Sequence, residues 1–292
     1  MNNIVFILGP SRTGSKIYMN ILNQFSVINI TPEINYINSV WRNFFFRKDF
    51  VNTVKNKVGD LNKDSNIPKL IDLMFSNVLE GSFWNLIKKR NINRLSLEKR
   101  ILKSDRSFNN ILKIVLEEHA KSNDKKIPGA KFPLHFSHIS KILNWYPNCK
   151  IVFLIRDPRA IYASFLKIFS NKLNSKNKRI KKILTFWITI IRFKKAANIY
   201  LKYSHLENLQ LYKFEDIIIE PEKNIKKLCN FLEIEFKPEM LFPPVFGSSY
   251  KIKKKIGFDK GAINRWKKYV SNNENKLIKI FTYKQMKELK YL

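Results

Sequence analysis

Two uninterrupted apolar runs constrain the fold more than any other feature of this sequence. Residues 4–8 read IVFIL and residues 151–155 read IVFLI, without the alternation of a strand that has one face in water. Such runs are typical of strands covered on both faces in a parallel sheet. Each run leads into a polar loop and then into a helical apolar pattern. This repeated order predicts an α/β fold, with a central parallel sheet flanked by helices.

The rest of the chain gives further expectations about its organisation. Residues 35–125 are predicted to be mainly helical, residues 183–203 and 221–232 to be helices, and residues 209–214 to be a short strand. Pro221 suits the first turn of a helix. Because neither an internal repeat nor a Pro/Gly/Ser-rich linker is visible, we expect a single domain over residues 1–292, with a helical insertion around 35–125.

Length, cysteine content and apolar segments limit the class of protein. With 292 residues and 45% hydrophobic side chains, the chain can bury a substantial core. Cys149 and Cys229 form neither a disulfide framework nor a zinc motif, which favours a reducing compartment. The run at 4–8 is too short for a signal peptide, and that at 183–191 is too short for a membrane span. We expect a cytoplasmic protein without a membrane span.

The net charge of +32 admits two interpretations. One is binding to nucleic acid or another polyanion, for which a basic surface is required. The other is a compositional bias toward residues with AT-rich codons, since Lys, Ile and Asn are all abundant. The lysines are spread along the whole chain, and no nucleic-acid motif is present. The compositional interpretation is favoured, and no specific nucleic-acid partner is expected.

The loop after the first apolar run has the composition of a phosphate cradle. It reads Gly9-Pro10-Ser11-Arg12-Thr13-Gly14-Ser15-Lys16 and joins a strand to a helix. Backbone N–H groups at such a junction favour an anion, and the hydroxyl and cationic side chains add donors. The nucleotide-triphosphate loop GxxxxGK[ST] has the same glycine spacing but requires Lys before Ser/Thr. The reversed order here weakens the alternative of a kinase that uses ATP and Mg²⁺.

The loop after the second apolar run predicts a second phosphate site. Arg156 follows the strand directly, at the edge where open α/β sheets bind ligands. Arg159 lies one residue after Pro158, which starts the next helix, and Ser164 lies two turns into that helix. Arg and Ser side chains near a helix start are suited to holding a phosphate group.

These two loops together resemble those of the sulfotransferases that use 3'-phosphoadenosine 5'-phosphosulfate (PAPS), which have a P-loop NTPase-like fold. Residues 11–16 resemble the 5'-phosphosulfate loop, and residues 156–164 resemble the RDPRxxxxS element that binds the 3'-phosphate. Pro32-Glu33, 21 residues after Arg12, is similar in spacing to the protein-tyrosine and related bacterial enzymes. Three further segments resemble family elements, namely residues 130–135, residues 214–217 and the stretch containing Ser249 and Arg265.

The resemblance implies roles for individual residues. Arg12 and Lys131 would stabilise the leaving group, and Glu33 would be the general base that takes the acceptor's proton. The residues implied in nucleotide binding are Arg12, Thr13, Gly14, Ser15, Lys16, Arg156, Ser164, Ser249 and Arg265. PAPS would be the co-substrate and no metal would be required. Two departures are Lys16 in place of a second Thr and Phe214 in place of the usual Tyr.

Several alternatives stay open at the level of sequence. Glu33 is also consistent with a solvated loop residue, and His135 with His138 is consistent with core or surface residues as well as a metal pair. The aromatic residues between 41 and 50 would line an acceptor pocket or belong to the core. The expected acceptor is a hydroxyl group of a carbohydrate or of a peptide tyrosine, and the sequence does not define the oligomeric state.

Overall fold

A computed structural model describes most of the chain. The described residues are 4–37, 40–42, 45–47, 49–79, 82–89, 92–133, 135–170, 178–244 and 256–292. Ser249 therefore lies outside the described residues, as do the side chains of the aromatic residues at 41 and 44–46.

Within the described residues, seven strands form two sheets. They are β1 (Val5–Gly9), β2 (Ile28–Thr31), β3 (Val40–Arg42), β4 (Phe45–Arg47), β5 (Ile127–Pro133), β6 (Lys150–Ile155) and β7 (Leu209–Lys213). Five strands make one sheet in the order β2-β5-β1-β6-β7, and β3 pairs with β4 in a separate antiparallel hairpin. The predicted fold class, a central parallel sheet flanked by helices, is confirmed.

Twelve α-helices accompany the strands in the part of the chain that the structure describes. In chain order they are α1 (Ser15–Phe25), α2 (Phe50–Lys57), α3 (Ile67–Phe75), α4 (Ser82–Lys89), α5 (Arg94–Leu102), α6 (Phe108–Lys121), α7 (Ile139–Trp145), α8 (Pro158–Ser170), α9 (Lys178–Tyr203), α10 (Phe214–Ile219), α11 (Pro221–Leu232) and α12 (Asn272–Glu288). Short 3₁₀ helices also occur, and they include His135–His138, Lys260–Ala262 and Arg265–Lys268.

The chain divides into two compact units. The first contains Met1–Ile7 and Val27–Lys150, and the second contains Leu8–Ser26 and Ile151–Leu292. The expectation of a single domain over the whole chain stays a prediction.

In the first unit, β2 and β5 pair in parallel and α6 packs against both strands. Gly129 of β5 permits this packing, because a Cβ atom there would lie 2.4 Å from the Ile30 side chain and 2.7 Å from the Val5 carbonyl oxygen. Helices α2 to α6 occupy most of the region that was predicted to be helical. The β3–β4 hairpin within that region was not predicted.

In the second unit, β6 and β7 pair in parallel, with Ile155 opposite Lys213 at their carboxyl ends. Helices α8, α9 and α12 pack together around two buried clusters. One includes Tyr162, Phe186 and Ile278, and the other includes Phe193 and Met286. The predicted helices at 183–203 and 221–232 and the predicted strand at 209–214 are confirmed by α9, α11 and β7.

None of the helices in the described part of the chain has the length and apolarity that crossing a membrane requires.

Gly9 at the end of β1 gives a direct test of the packing of this residue against Leu154 of β6. Its φ of 134° is unfavourable for other residues, and a Cβ atom there would lie 2.2 Å from the Leu154 carbonyl oxygen. We expect Gly9→Ala to lower the free energy of unfolding in urea by more than about 2 kcal/mol. The matched control is Gly59→Ala, where φ is also positive but the nearest atom is 3.9 Å away. Its expected cost is about 1 kcal/mol, and equal costs would contradict the assigned packing.

Candidate functional site

The first loop is shaped by its own backbone. Gly14 has φ of 88° and precedes α1, and Arg12 also has a positive φ, of 76°. The buried Thr13 hydroxyl donates a hydrogen bond to the Pro10 carbonyl oxygen at 2.8 Å, which closes the loop on itself. The first backbone N–H groups of a helix have no partner within the helix, so the start of α1 is suited to an anion.

Gly14 is required by a neighbouring ring as well as by its backbone conformation. A Cβ atom at this position would lie 2.5 Å from Cδ2 of Phe214, the first residue of α10. Phe214 therefore occupies the space in which a side chain on the loop would lie. This contact places the first loop directly against the carboxyl end of β7.

Arg12 and Ser164 lie together, although the sequence analysis assigned them to different phosphate groups. The Arg12 Nε–H donates a hydrogen bond to the Ser164 Oγ at 2.9 Å. Ser164 is buried on α8, so the hydroxyl is held by a packed helix. The two phosphate-binding elements predicted from sequence thus meet in one region of the second unit.

Arg156 is held in place by contacts on two sides. Its guanidinium donates hydrogen bonds to the carbonyl oxygens of Arg12 and Ala262, each at 3.2 Å. The guanidinium carbon lies 3.7 Å from the centroid of the Phe214 ring, a cation–π contact. The residue is only 8% exposed. A cation that is oriented and largely removed from water interacts strongly with a nearby anion.

Two acidic residues near Arg156, Asp157 and Glu215, bond to groups other than the Arg156 guanidinium. The Asp157 carboxylate forms a bidentate pair with Arg159, with the shortest distance at 2.6 Å, and Arg159 stacks over the Trp266 ring at 4.4 Å. Glu215 accepts hydrogen bonds from the Asp157 backbone N–H and the Tyr291 hydroxyl. Burial raises the pKa of Glu215. These contacts fix the start of α8 next to Arg156.

The other predicted nucleotide-binding residues of the second unit lie at its loops and helix starts. Ser15 begins α1 half-buried, and Lys16 is exposed on the same turn. Arg265 pairs with Asp259 at 2.6 Å, at the start of the 3₁₀ helix Arg265–Lys268. The carbonyl oxygen of Ala262, three residues before Arg265, accepts a hydrogen bond from Arg156.

Glu33 and Lys131 belong to the first unit. Thr31 at the end of β2 lies opposite Ala130 of β5 in the parallel register. Lys131, the next residue of β5, therefore lies beside the carboxyl end of β2, and Glu33 follows that end by two residues. Lys131 is buried and Glu33 is half-buried.

His135 anchors the segment that follows Glu33. Its Nε2 accepts hydrogen bonds from the backbone N–H groups of Tyr36 and Ile37, at 3.3 and 3.2 Å. The imidazole stacks on Phe132 with centroids 4.4 Å apart. Burial, and then the nearby His138, lowers the pKa of His135 to about 3. His135 is therefore a neutral core residue that holds a loop.

Within the part of the chain that the structure describes, no group of three or more His, Cys, Asp or Glu is arranged to hold a metal ion.

Of the aromatic residues between 41 and 50, Phe50 has a described side chain. Phe50 is fully buried and stacks between Tyr36 and Trp84, with ring centroids 4.7 and 4.9 Å away. The core interpretation of Phe50 is therefore correct.

The role of Phe214 was not predicted from the sequence. The sequence showed only that Phe214 replaces the usual Tyr, whereas the ring contacts both Gly14 and Arg156. The pairing of β6 with β7 brings the ring there, and local sequence patterns do not contain that pairing. Because Ile155 lies opposite Lys213, the next residues, Arg156 and Phe214, are neighbours.

The buried His135 predicts a pH-dependent stability. In the unfolded chain an imidazole takes up a proton below about pH 6.5, whereas folded His135 does so only near pH 3. Stability therefore falls as the pH drops, by about 2 kcal/mol between pH 6.5 and pH 5 from this residue. His135→Gln, which keeps an acceptor but does not titrate, should show a correspondingly flatter dependence in urea unfolding.

The control for this experiment is His205→Gln, because His205 is exposed. The same substitution at this exposed position should leave the free energy of unfolding at pH 7 within about 0.5 kcal/mol of that of the wild type. A wild type and a His135→Gln variant with the same slope between pH 6.5 and pH 5 would show that folded His135 takes up its proton in the ordinary range.

Comparison with solved structures supports the fold. The chain is similar to the sulfotransferase domain of the curacin biosynthetic pathway, with 18% identity, 96% of each chain covered and a TM-score of 0.54. The sulfotransferase domain of the Synechococcus PCC 7002 olefin synthase matches with 15% identity, 97% of this chain and 95% of that chain covered, and a TM-score of 0.58. A sulfotransferase from Alicyclobacillus acidocaldarius matches with 12% identity, 100% and 95% coverage, and a TM-score of 0.52.

Comparison of sequences gives the family. No curated protein matches the chain. The model of the sulfotransferase family matches residues 4–238, which include both loops, Glu33 and Lys131. Since this match covers well over half of the chain, the protein belongs to the sulfotransferase family.

Proposed function

We propose that this protein transfers a sulfonate group from PAPS to a hydroxyl group of an acceptor. The observation that carries the proposal is the cluster of Arg12, Arg156 and Ser164 around the Gly14 loop. PAPS supplies an activated sulfonate and carries phosphate groups at its 5' and 3' positions. A pre-oriented cationic cluster beside a helix start has the chemistry that such groups require.

Arg12 and Arg156 supply positive charge at adjoining points of this cluster. The Arg12 guanidinium donates a hydrogen bond to the Ser164 hydroxyl. The backbone carbonyl oxygen of Arg12 accepts a hydrogen bond from the Arg156 guanidinium. Fixed donors of this kind stabilise charge that develops on a leaving group without reorganising during the reaction. Ser15, Lys16, Ser249 and Arg265 are proposed to complete nucleotide binding, and Thr13 to shape the loop through its bond to Pro10.

Glu33 is proposed to be the general base, and Lys131 to assist the leaving group. A half-buried carboxylate is suited to taking the proton of an acceptor hydroxyl. The bonds of His135 to residues 36 and 37 hold the segment after Glu33, which limits the positions open to the carboxylate. A carbohydrate hydroxyl is the first proposed acceptor and a peptide tyrosine the second.

The kinase alternative has no support. The match to a family model is to sulfotransferases, and Lys16 is exposed on α1 in an order that is reversed from the triphosphate loop. The sulfonate group also carries less charge than a terminal phosphoryl group, so basic side chains are proposed to replace the metal ion that phosphoryl transfer uses.

Calorimetric titration with 3',5'-phosphoadenosine tests the nucleotide site. We expect micromolar binding to the wild type without Mg²⁺ and a loss of about 100-fold or more in Arg156→Ala, because two hydrogen bonds and the cation are removed together. Arg156→Lys should bind about tenfold more weakly than the wild type, since it keeps the charge but not the planar group.

The matched control is Arg94→Ala, because Arg94 also stacks on an aromatic ring, that of Phe75, but lies in the first unit. It should bind the nucleotide as the wild type does. A folded wild type that binds ATP with Mg²⁺ and not 3',5'-phosphoadenosine would overturn the proposal.

Glu33→Gln tests the general base. With PAPS and a panel of sugars and tyrosine peptides, we expect turnover to fall by about 100-fold or more. Affinity for 3',5'-phosphoadenosine should be unchanged, because the proposed role of Glu33 concerns the acceptor. Glu239→Gln is the control, since Glu239 also follows a proline but is exposed. Full turnover in Glu33→Gln would exclude this residue as the base.

A further inference from the structure

The exposed apolar side chains are concentrated on two helices. Of the 17 large hydrophobic side chains that are exposed among the described residues, five lie on α9 and four on α12. Soluble proteins expose single hydrophobic residues routinely, but contiguous patches mark interaction sites. The surface of α9 and α12 is therefore the strongest candidate for a partner that the sulfotransferase reaction does not require.

The side chains on α9 form one stripe. Ile180, Leu184, Trp187 and Ile191 follow the helical repeat and lie on the same face. Ile180 and Ile191 are each 60% exposed and Trp187 is 42% exposed. The opposite face of α9 is buried through Phe186, Ile190 and Phe193 in the core clusters of the second unit. Packing thus fixes the orientation of α9 and leaves the stripe outward.

Helix α12 extends the stripe into a patch. The rings of Trp187 and Phe281 lie 4.9 Å apart, and Leu277 and Ile280 of α12 are also exposed. We call this surface the α9 patch, defined by Ile180, Ile183, Leu184, Trp187, Ile191 and Phe281. An apolar surface that includes Trp and Phe is suited to the boundary between lipid headgroups and acyl chains.

The charges around the α9 patch have one dominant sign. Helix α9 contains eight Lys or Arg residues and no acidic residue, and α12 contains four Lys and two Glu. One of these glutamates, Glu274, bonds to the Tyr162 hydroxyl, to Ser271 and to Lys182. Exposed basic residues border the patch at both ends, with Arg179 beside Ile180, and Lys194 with Lys195 beyond Ile191.

The combination of an apolar patch with a basic border favours an anionic lipid surface over a second copy of the chain as the partner. Two copies that met through the α9 patch would bring two basic borders together on chains that each carry a net charge of +32, and like charges in contact oppose association. An anionic lipid surface offers an apolar interior behind a negative layer, which complements both the patch and its border.

We propose that α9 and α12 dock on an anionic lipid surface, with α9 lying in the plane of that surface. The α9 patch enters the headgroup region, and the bordering Lys and Arg side chains contact the negative headgroups. Because the inner face of α9 stays packed against the core of the second unit, the protein binds at the surface of the bilayer without crossing it.

Vesicle binding tests this proposal without an acceptor or a nucleotide. The purified protein is mixed with vesicles of phosphatidylcholine alone or with about one third phosphatidylserine, and binding is measured by sedimentation. We expect at least about tenfold stronger binding to the anionic vesicles. Acyl chains brominated near the headgroup should quench Trp fluorescence in the wild type, and much less in Trp187→Phe.

Charge-neutral substitutions separate the contribution of the α9 patch to vesicle binding from that of the basic border. Trp187→Ser with Phe281→Ser should weaken binding by about tenfold or more, because the two aromatic rings leave the interface. Ile180→Ser with Ile191→Ser, which leaves the ring pair intact, should weaken binding by about threefold. Leu95→Ser and Phe242→Ser remove exposed apolar side chains elsewhere and should bind as the wild type does. Melting temperatures show that each variant is folded.

Four results would overturn the proposal. The first is a folded wild type that does not bind anionic vesicles. The second is binding that depends on Lys194 and Lys195 but not on Trp187 and Phe281, since the attraction would then be electrostatic only. The third is a wild-type dimer that the patch variants convert to monomers, which assigns the patch to a second copy. The fourth is an acidic protein that binds the patch in the presence of vesicles and displaces them.

Discussion

The contact of one aromatic ring with two loops is the constraint on which the candidate nucleotide site depends. The Phe214 ring takes the space of a Gly14 side chain and supports the Arg156 guanidinium at 3.7 Å. Such a cation–π contact contributes about 1–2 kcal/mol when it is shielded from water. Its larger effect is geometric, because the guanidinium is already oriented by the ring and by the carbonyl oxygens of Arg12 and Ala262. A ligand anion that meets an oriented cation loses less free energy to ordering the protein than one that must immobilise a flexible side chain.

The acidic residues near this cation reinforce the same arrangement. Asp157 directs its carboxylate to Arg159 and its backbone N–H to Glu215, so it holds the start of α8. Glu215 in turn accepts a hydrogen bond from Tyr291, the penultimate residue of the chain, and burial raises its pKa. Tyr291 therefore supports Glu215, a residue 76 positions earlier in the sequence. Removing any of these polar partners would leave a buried group unsatisfied, which costs more than the bond itself contributes.

The sequence was sufficient for the parts of the fold that are apolar and continuous, whereas the roles of the site residues stay predictions. β1 and β6 were predicted because residues 5–8 and 151–155 are all buried and apolar. β2 was missed because Asn29 and Thr31 are polar although buried, and β5 was missed because Pro128, Gly129 and Lys131 break the apolar pattern. The pairing of Arg12 with Ser164 and the position of Phe214 depend on which strands are neighbours. That information arises from contacts between residues far apart in the chain, which local patterns do not contain.

The high positive charge needs no functional explanation along most of the chain, but its position around the α9 patch supports a binding role. A bias toward AT-rich codons raises the frequency of Lys and Ile without regard to position, so basic residues spread along the chain need no functional explanation. Folding then sorts these residues, because burying a large aliphatic side chain contributes about 1.5–3 kcal/mol and leaving it in water contributes nothing. The isoleucines of β1 and β6 follow that sorting and are buried. Those of the α9 patch do not, although they belong to the same chain and the same composition. Compositional bias accounts for the lysines around the patch but not for apolar side chains that remain outside, and it is the coincidence of the two that points to a charged lipid surface.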